Sequence, residues 1–226
     1  MARHRRGFDV AAAWAHLVRA DPALAPWLRR QGPLPPPDGW RRPFDPVDAL
    51  ARAILFQQLS GKAAATIVGR VEAAIGSQRL HAATLGAIDD AALRACGVSG
   101  NKALALRDLC RRELAGEVPS LRQMAWMDDR AIVDALLPIR GIGRWTVEMM
   151  LMFRLGRPDV LPVDDLGVRK GAQRVHGLPV LPSARELAAL GERWGPYRTC
   201  AALCLWRIAD GEGEDPAAVR TNRSQD

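Results

Sequence analysis

The chain has 226 residues, 48% of them hydrophobic, and a net charge of +7. That length can bury one sizeable core, split at most into two lobes, and the positive balance favours an anionic partner such as nucleic acid, although charge alone also fits a generally basic protein. No apolar run approaches the roughly 20 residues of a membrane span, and Phe8 to Ala15 is too short and interrupted for a secretory apolar core, so a cytoplasmic protein with no membrane partner is expected; separately, it is expected to be a monomer. In chain order the sequence reads as helical nearly throughout, because alanine, leucine and arginine dominate and alternating β-branched runs are missing. A first helix is predicted over Asp9–Ala20, and the proline-rich stretch Gln31–Pro46 cannot be regular helix. Asp45-Pro46 starts a helix with Val47, Leu50, Ile54 and Leu55 at helical spacing, ending near Gln57-Gln58-Leu59, where Ser60 caps the next, Lys62–Ile75. Further helices are predicted over Asp89–Cys96 and Asn101–Leu114, from Asp128 or Asp129 to Leu136, and over Arg144–Leu155. Asp164 and Asp165 open one to His176, Pro182-Ser183 caps one to Arg193, and Pro196 opens the last, to Asp210.

The segment Ile139-Arg140-Gly141-Ile142-Gly143-Arg144-Trp145-Thr146 lies between two of these helices. Glycines on both sides of Ile142 let that side chain bury while the amides of Gly141, Gly143 and the next turn point outward. Those amides stand at a helix N-terminus, which suits a phosphate, and Arg140 and Arg144 add positive charge. Carbonyls of Leu137, Ile139 and Gly141 can turn the other way and hold a monovalent cation. The four cysteines, Cys96, Cys110, Cys200 and Cys204, follow neither a zinc nor an iron–sulfur spacing and read as buried thiols. His4, His16, His81 and His176 are scattered, so no divalent metal and no organic cofactor is expected.

Three stretches, Leu50–Ser60, Leu137–Glu148 and Leu161–Lys170, resemble the helix-hairpin-helix DNA glycosylases of the Gly/Pro-Asp class. The likeness is nearest to the bacterial 3-methyladenine-DNA glycosylase II branch and is weaker over Gly97–Leu109 and Trp194–Trp206. The resemblance implies an all-α fold of two helical lobes with a central cleft, residues 45–157 forming the lobe that carries the hairpin. Residues 8–44 with 158–211 form the other lobe, which carries the catalytic aspartate, and 1–7 and 212–226 are flexible tails. The mixed α/β domain that precedes the long form of the family is not expected here.

By that resemblance the catalytic carboxylate is Asp165, with Asp164 as the helix cap or a solvated charge. One acid suffices, because an N3- or N7-alkylated purine already carries positive charge and leaves without protonation, while the carboxylate stabilises the oxocarbenium-like sugar. Related bifunctional enzymes carry a lysine directly before the hairpin threonine as Schiff-base nucleophile. Here Trp145 precedes Thr146, so no lyase activity is expected. Trp145 and Trp206 line the base pocket by the same resemblance, where indole faces attract a cationic base, and Met149 stands where one family pattern has tyrosine. Trp14, Trp27, Trp126 and Trp194 are assigned to core or lobe contacts, Trp40 is open between roles, and Glu148 reads as a solvated charge.

Duplex DNA must have its target base flipped out, and a side chain must fill the gap. Gln58 is the expected wedge, although Gln57 and Gln58 can also cap backbone groups between two helices. Gly141, Gly143, Arg140, Arg144 and Thr146 are the expected DNA contacts, with Arg169 and Lys170 as further phosphate candidates. The expected function is a monofunctional DNA N-glycosylase that excises alkylated bases from damaged double-stranded DNA and leaves an abasic site. The alternatives are a glycosylase for deaminated or oxidised bases, and a non-catalytic helix-hairpin-helix DNA-binding protein.

Overall fold

The computed structural model describes residues 3–211; Met1, Ala2 and the predicted tail at 212–226 lie outside the described residues. It is all-α, with no strand among the described residues and no helix long and apolar enough to cross a membrane. The helices are α1 (Val10–Ala20), α2 (Ala25–Gln31), α3 (Pro46–Phe56), α4 (Gly61–Ile75), α5 (Ala82–Leu85), α6 (Asp90–Ala95) and α7 (Gly100–Leu114). They continue as α8 (Leu121–Met124), α9 (Asp129–Leu136), α10 (Arg144–Phe153), α11 (Leu166–His176), α12 (Ala184–Gly191) and α13 (Arg198–Ala209).

Side-chain caps set most of the starts. Asp9, Asp45, Ser60, Asp89, Ser99, Asp128, Asp165 and Ser183 each accept a backbone N–H from the first turn of the helix they precede, satisfying donors that have no partner inside the helix. The last predicted helix starts later than its proline suggested, at Arg198.

The chain divides into two compact units. The first holds residues 3–4 and 42–147, the second residues 5–41 and 148–211. Both differ from the expected lobes. The first unit ends inside α10 because the far half of that helix packs with the second unit. There Trp40 Nε1 donates to Met152 O at 2.6 Å, and Phe153 stacks on Trp206 at 5.8 Å between centroids. Residues 5–7, expected in the tail, belong to the second unit, where Arg6 Nε donates to Arg154 O at 2.9 Å.

In the first unit α3 packs on α4 and α7, and Leu50, Ile54 and Leu55 of α3 and Leu106 and Leu109 of α7 are fully buried. In the second unit the tightest pairing is α11 on α13. It depends on a close crossing: a Cβ on Gly171 would run into the backbone of Leu205. Trp27, Trp40 and Trp194 are buried there, which settles Trp40 as a core residue, and the four cysteines are buried free thiols.

Candidate active site

Asp165 sits in the second unit directly before α11, in extended backbone (φ −71°, ψ 124°). Its Oδ1 accepts the N–H of Val168 at 2.9 Å and the indole N–H of Trp206 at 2.7 Å. Two donors on one oxygen fix the carboxylate rotamer, and the indole that does so is itself held by stacking on Phe153. The cap is therefore Asp165 itself. Asp164, expected as the cap or a solvated charge, is exposed in the turn before it. The space that lets Trp206 reach Asp165 is made by Gly167, one residue into α11. A Cβ there would lie 2.7 Å from Trp206 Cδ1 and 3.2 Å from Asp165 Oδ1.

The hairpin belongs to the first unit. Ile139 and Ile142 bury, at 2% and 5% exposure, and Ile142 N–H closes the turn on Ile139 O at 3.0 Å. Gly141 takes φ +79°, a conformation that side chains other than glycine rarely adopt, and a Cβ on it would lie 3.1 Å from Ala105 Cβ. Gly143 differs: its φ is not positive, and a Cβ would meet nothing within 4 Å. Its N–H meets no acceptor among the described residues. The protein itself leaves the space around Gly143, directly before α10, open.

Asp108 on α7 anchors the hairpin by accepting the amide N–H of Arg140 at 2.9 Å. Burial alone would push this carboxyl up. The Arg140 amide and the guanidinium groups of Arg111 and Arg112 outweigh it and bring the carboxyl down to about 2. Arg140 and Arg144 side chains are exposed, and Thr146 is half-buried. Of the three carbonyls expected to hold a monovalent cation, two already face donors. Gly141 O accepts Gln57 Nε2–H at 2.7 Å, and Ile139 O accepts Ile142 N–H, which weighs against a cation there.

The turn after α3, expected to carry the wedge, lies beside the hairpin in the same unit. Among the described residues Gln58 alone, apart from glycines, has positive φ, at 57°. Its side chain is exposed and makes no hydrogen bond to the described residues. A non-glycine residue in this region costs about 1–2 kcal/mol, and such strain marks positions that serve something other than the fold. Gln57 instead takes the capping role, through its bond to Gly141 O. Gln57, Gln58, Asn101, Lys102, Arg140 and Gly141 border a cavity of about 390 Å³.

Trp145 is half-exposed, at 50%, and Met149 stands one turn further along α10, partly buried. Trp126, assigned to core or lobe contacts, is 49% exposed in the turn after α8 and so is not a core residue. Glu148, read as a solvated charge, is 5% exposed. Its helix neighbours Val147, Met150, Leu151 and Met152 are buried as well, so this stretch of α10 leaves little surface to solvent. Sequence reasoning missed Gly167, Asp108 and Lys102. For Gly167 the one available signal was a glycine inside a helix, where it costs about 1 kcal/mol relative to alanine and so needs a packing reason.

A family model described as "HhH-GPD superfamily base excision DNA repair protein" matches residues 51–196. The chain is 35% identical over 166 residues to DNA-3-methyladenine glycosylase 1 of Schizosaccharomyces pombe, covering 73% of each chain. The structure of an S. pombe 3-methyladenine DNA glycosylase in complex with abasic DNA superposes with a TM-score of 0.72 at 32% identity, covering 87% of this chain and 95% of that one. A DNA-3-methyladenine glycosidase from Bacillus halodurans gives a TM-score of 0.79 at 32% identity, covering 92% and 93%. Family model, relatives and fold agree, and the chain belongs to the HhH-GPD superfamily of base excision DNA repair proteins.

Proposed function

We propose that the chain is a monofunctional DNA N-glycosylase that excises alkylated bases, of the 3-methyladenine and 7-methylguanine type, from double-stranded DNA. The observation that carries this reading is the carboxylate of Asp165, fixed by an indole N–H at 2.7 Å at the head of the helix that follows the hairpin helix. A backbone-gripping module has no need of such a group, which weighs against a purely DNA-binding role. The similarity to 3-methyladenine glycosylases supports the substrate class, and 7-methylguanine is included because its alkylation likewise makes it a cationic leaving group.

In this reading the first unit holds DNA. Gly143 and the first amides of α10 take a phosphate, with Arg140 and Arg144 adding charge, and Gln58 fills the gap left by the flipped base. The second unit supplies Asp165. Its negative charge stabilises positive charge developing on the sugar as the bond to the base breaks, and it orients or deprotonates the attacking water. Trp145 and Trp206 offer indole faces to a cationic base, each worth roughly 0.5–2 kcal/mol.

On the same reading the chain has no lyase activity. Trp145 stands before Thr146, and Lys102 commits its ammonium to the carbonyls of Leu55 and Gln57, at 2.8 Å each. Incubation with methylated duplex DNA should release free 3-methyladenine and leave an unbroken, alkali-labile strand. Asp165→Asn should cut excision by roughly a thousandfold, in the range that loss of one transition-state charge partner produces, while still binding DNA. Full activity in that variant would sink the assignment.

A further inference from the structure

We propose that Lys102 and Gln57 are positioning residues that hold the Gln58 wedge in its strained conformation and tie it to the phosphate-binding hairpin. The proposal rests on the reading of Gln58 as the wedge.

The turn after α3 has to keep a non-glycine residue at φ 57° with an exposed side chain. Such a conformation persists only where the surroundings over-determine it. Two side chains do so here. Lys102 Nζ donates to Leu55 O and Gln57 O, the carbonyls on either side of Phe56, so one ammonium closes the C-terminal end of α3 and fixes the peptide leading into Gln58. A cation at that end also complements the helix dipole. Gln57 Nε2 donates across to Gly141 O, joining the wedge turn to the hairpin through one hydrogen bond.

The opposite side of the arrangement is a single helix. From α7, Lys102 holds the wedge turn, Ala105 packs under Gly141 and Asp108 holds the Arg140 amide. Residues three apart share a helix face, so one face of α7 sets the spacing between wedge and hairpin. Burial lowers the Lys102 ammonium from its ordinary range, in keeping with a group turned toward the protein. A phosphate docked on the hairpin therefore fixes where the wedge stands, and the unstacking force reaches the duplex from a rigid base.

The test compares single-turnover excision of 7-methylguanine from a fully paired duplex with excision from a single-nucleotide bulge, where the lesion is already unpaired. Undamaged-duplex affinity is measured alongside. Lys102→Met and Gln57→Leu should each lose about tenfold or more on the paired duplex, equal to about 1.4 kcal/mol of barrier, and far less on the bulge. Lys102→Arg, which keeps two donors and the charge, should recover most of the loss. Equal losses on both substrates would overturn the proposal, as would a Lys102→Met defect confined to duplex affinity, which would mark Lys102 as a phosphate contact. Gln58→Ala separates the two layers. If it shows no paired-duplex defect, the wedge reading itself fails; if it does and both positioning variants do not, the positioning proposal fails alone. Should Lys102→Met fold poorly, Gln57→Leu carries the same comparison.

Discussion

A methyl group on Gly167 would sit 2.7 Å from Cδ1 of Trp206, inside van der Waals contact, and 3.2 Å from Oδ1 of Asp165. The indole cannot simply swing aside, because Phe153 stacks on it and Asp165 holds its N–H. Gly167→Ala should therefore cost about 1–3 kcal/mol of stability, as overpacking does, and should lower single-turnover excision by displacing the carboxylate's partner. Chemical denaturation and excision rates on the same preparation check both; unchanged rates would mean that the Trp206–Asp165 bond does not matter to the chemistry. Asp165, Trp145 and Trp206 could be singled out in the sequence through the family resemblance. The indole–carboxylate bond between Trp206 and Asp165 could not, because it joins residues 41 apart on two helices whose crossing only the folded chain reveals. Asp164 and Asp165 are both plausible caps by residue type, and only the backbone turn decides between them.

At the scale of elements, capping residues made most helices readable. Among the short ones α2, α5 and α8 were not, since four to seven residues hold too little periodicity by themselves, whereas six-residue α6 was readable from its Asp89 cap and the Gly97 that follows it. The hairpin was readable as a Gly-Ile-Gly turn, but its two glycines do different work. Gly141 is required by its own φ and by Ala105, whereas nothing in the protein requires glycine at 143. That asymmetry gives a clean separation of fold from function. Gly143→Ala precedes the first residue of α10 and should change stability by no more than about 1 kcal/mol, the scale of an N-cap change. A Cβ there meets nothing within 4 Å in the protein, so on the proposed reading the added methyl obstructs only the phosphate, and affinity for duplex DNA should fall by about tenfold, or about 1.4 kcal/mol. Fluorescence anisotropy at fixed salt, set beside a thermal melt, measures the two effects; unaltered affinity would place the phosphate elsewhere.

For the molecule as a whole, stability should depend on pH through a buried network in the second unit that the sequence did not disclose. Asp21 is fully buried, accepts Ala23 and Leu24 amides at 3.0 and 3.1 Å on Oδ1, and accepts the Trp194 indole N–H at 2.8 Å on Oδ2. His176, at the end of α11, places Nε2 3.5 Å from the same Oδ2, without hydrogen-bond alignment, and stacks near Trp194. Burial lowers the His176 imidazole below its ordinary range; Asp21 opposes that and Arg193 adds to it. A base whose folded-state value is depressed takes up its proton more readily when unfolded. The folded state therefore has its full advantage above about pH 6.5, the ordinary histidine value, and loses it as pH falls below that point toward the depressed value. The unfolding midpoint should drop between about pH 7.5 and 5.5, the interval that brackets the ordinary histidine value, and His176→Gln, which removes the titrating ring, should flatten that drop. A variant melting profile parallel to the wild type across this interval would show that His176 is not the group responsible.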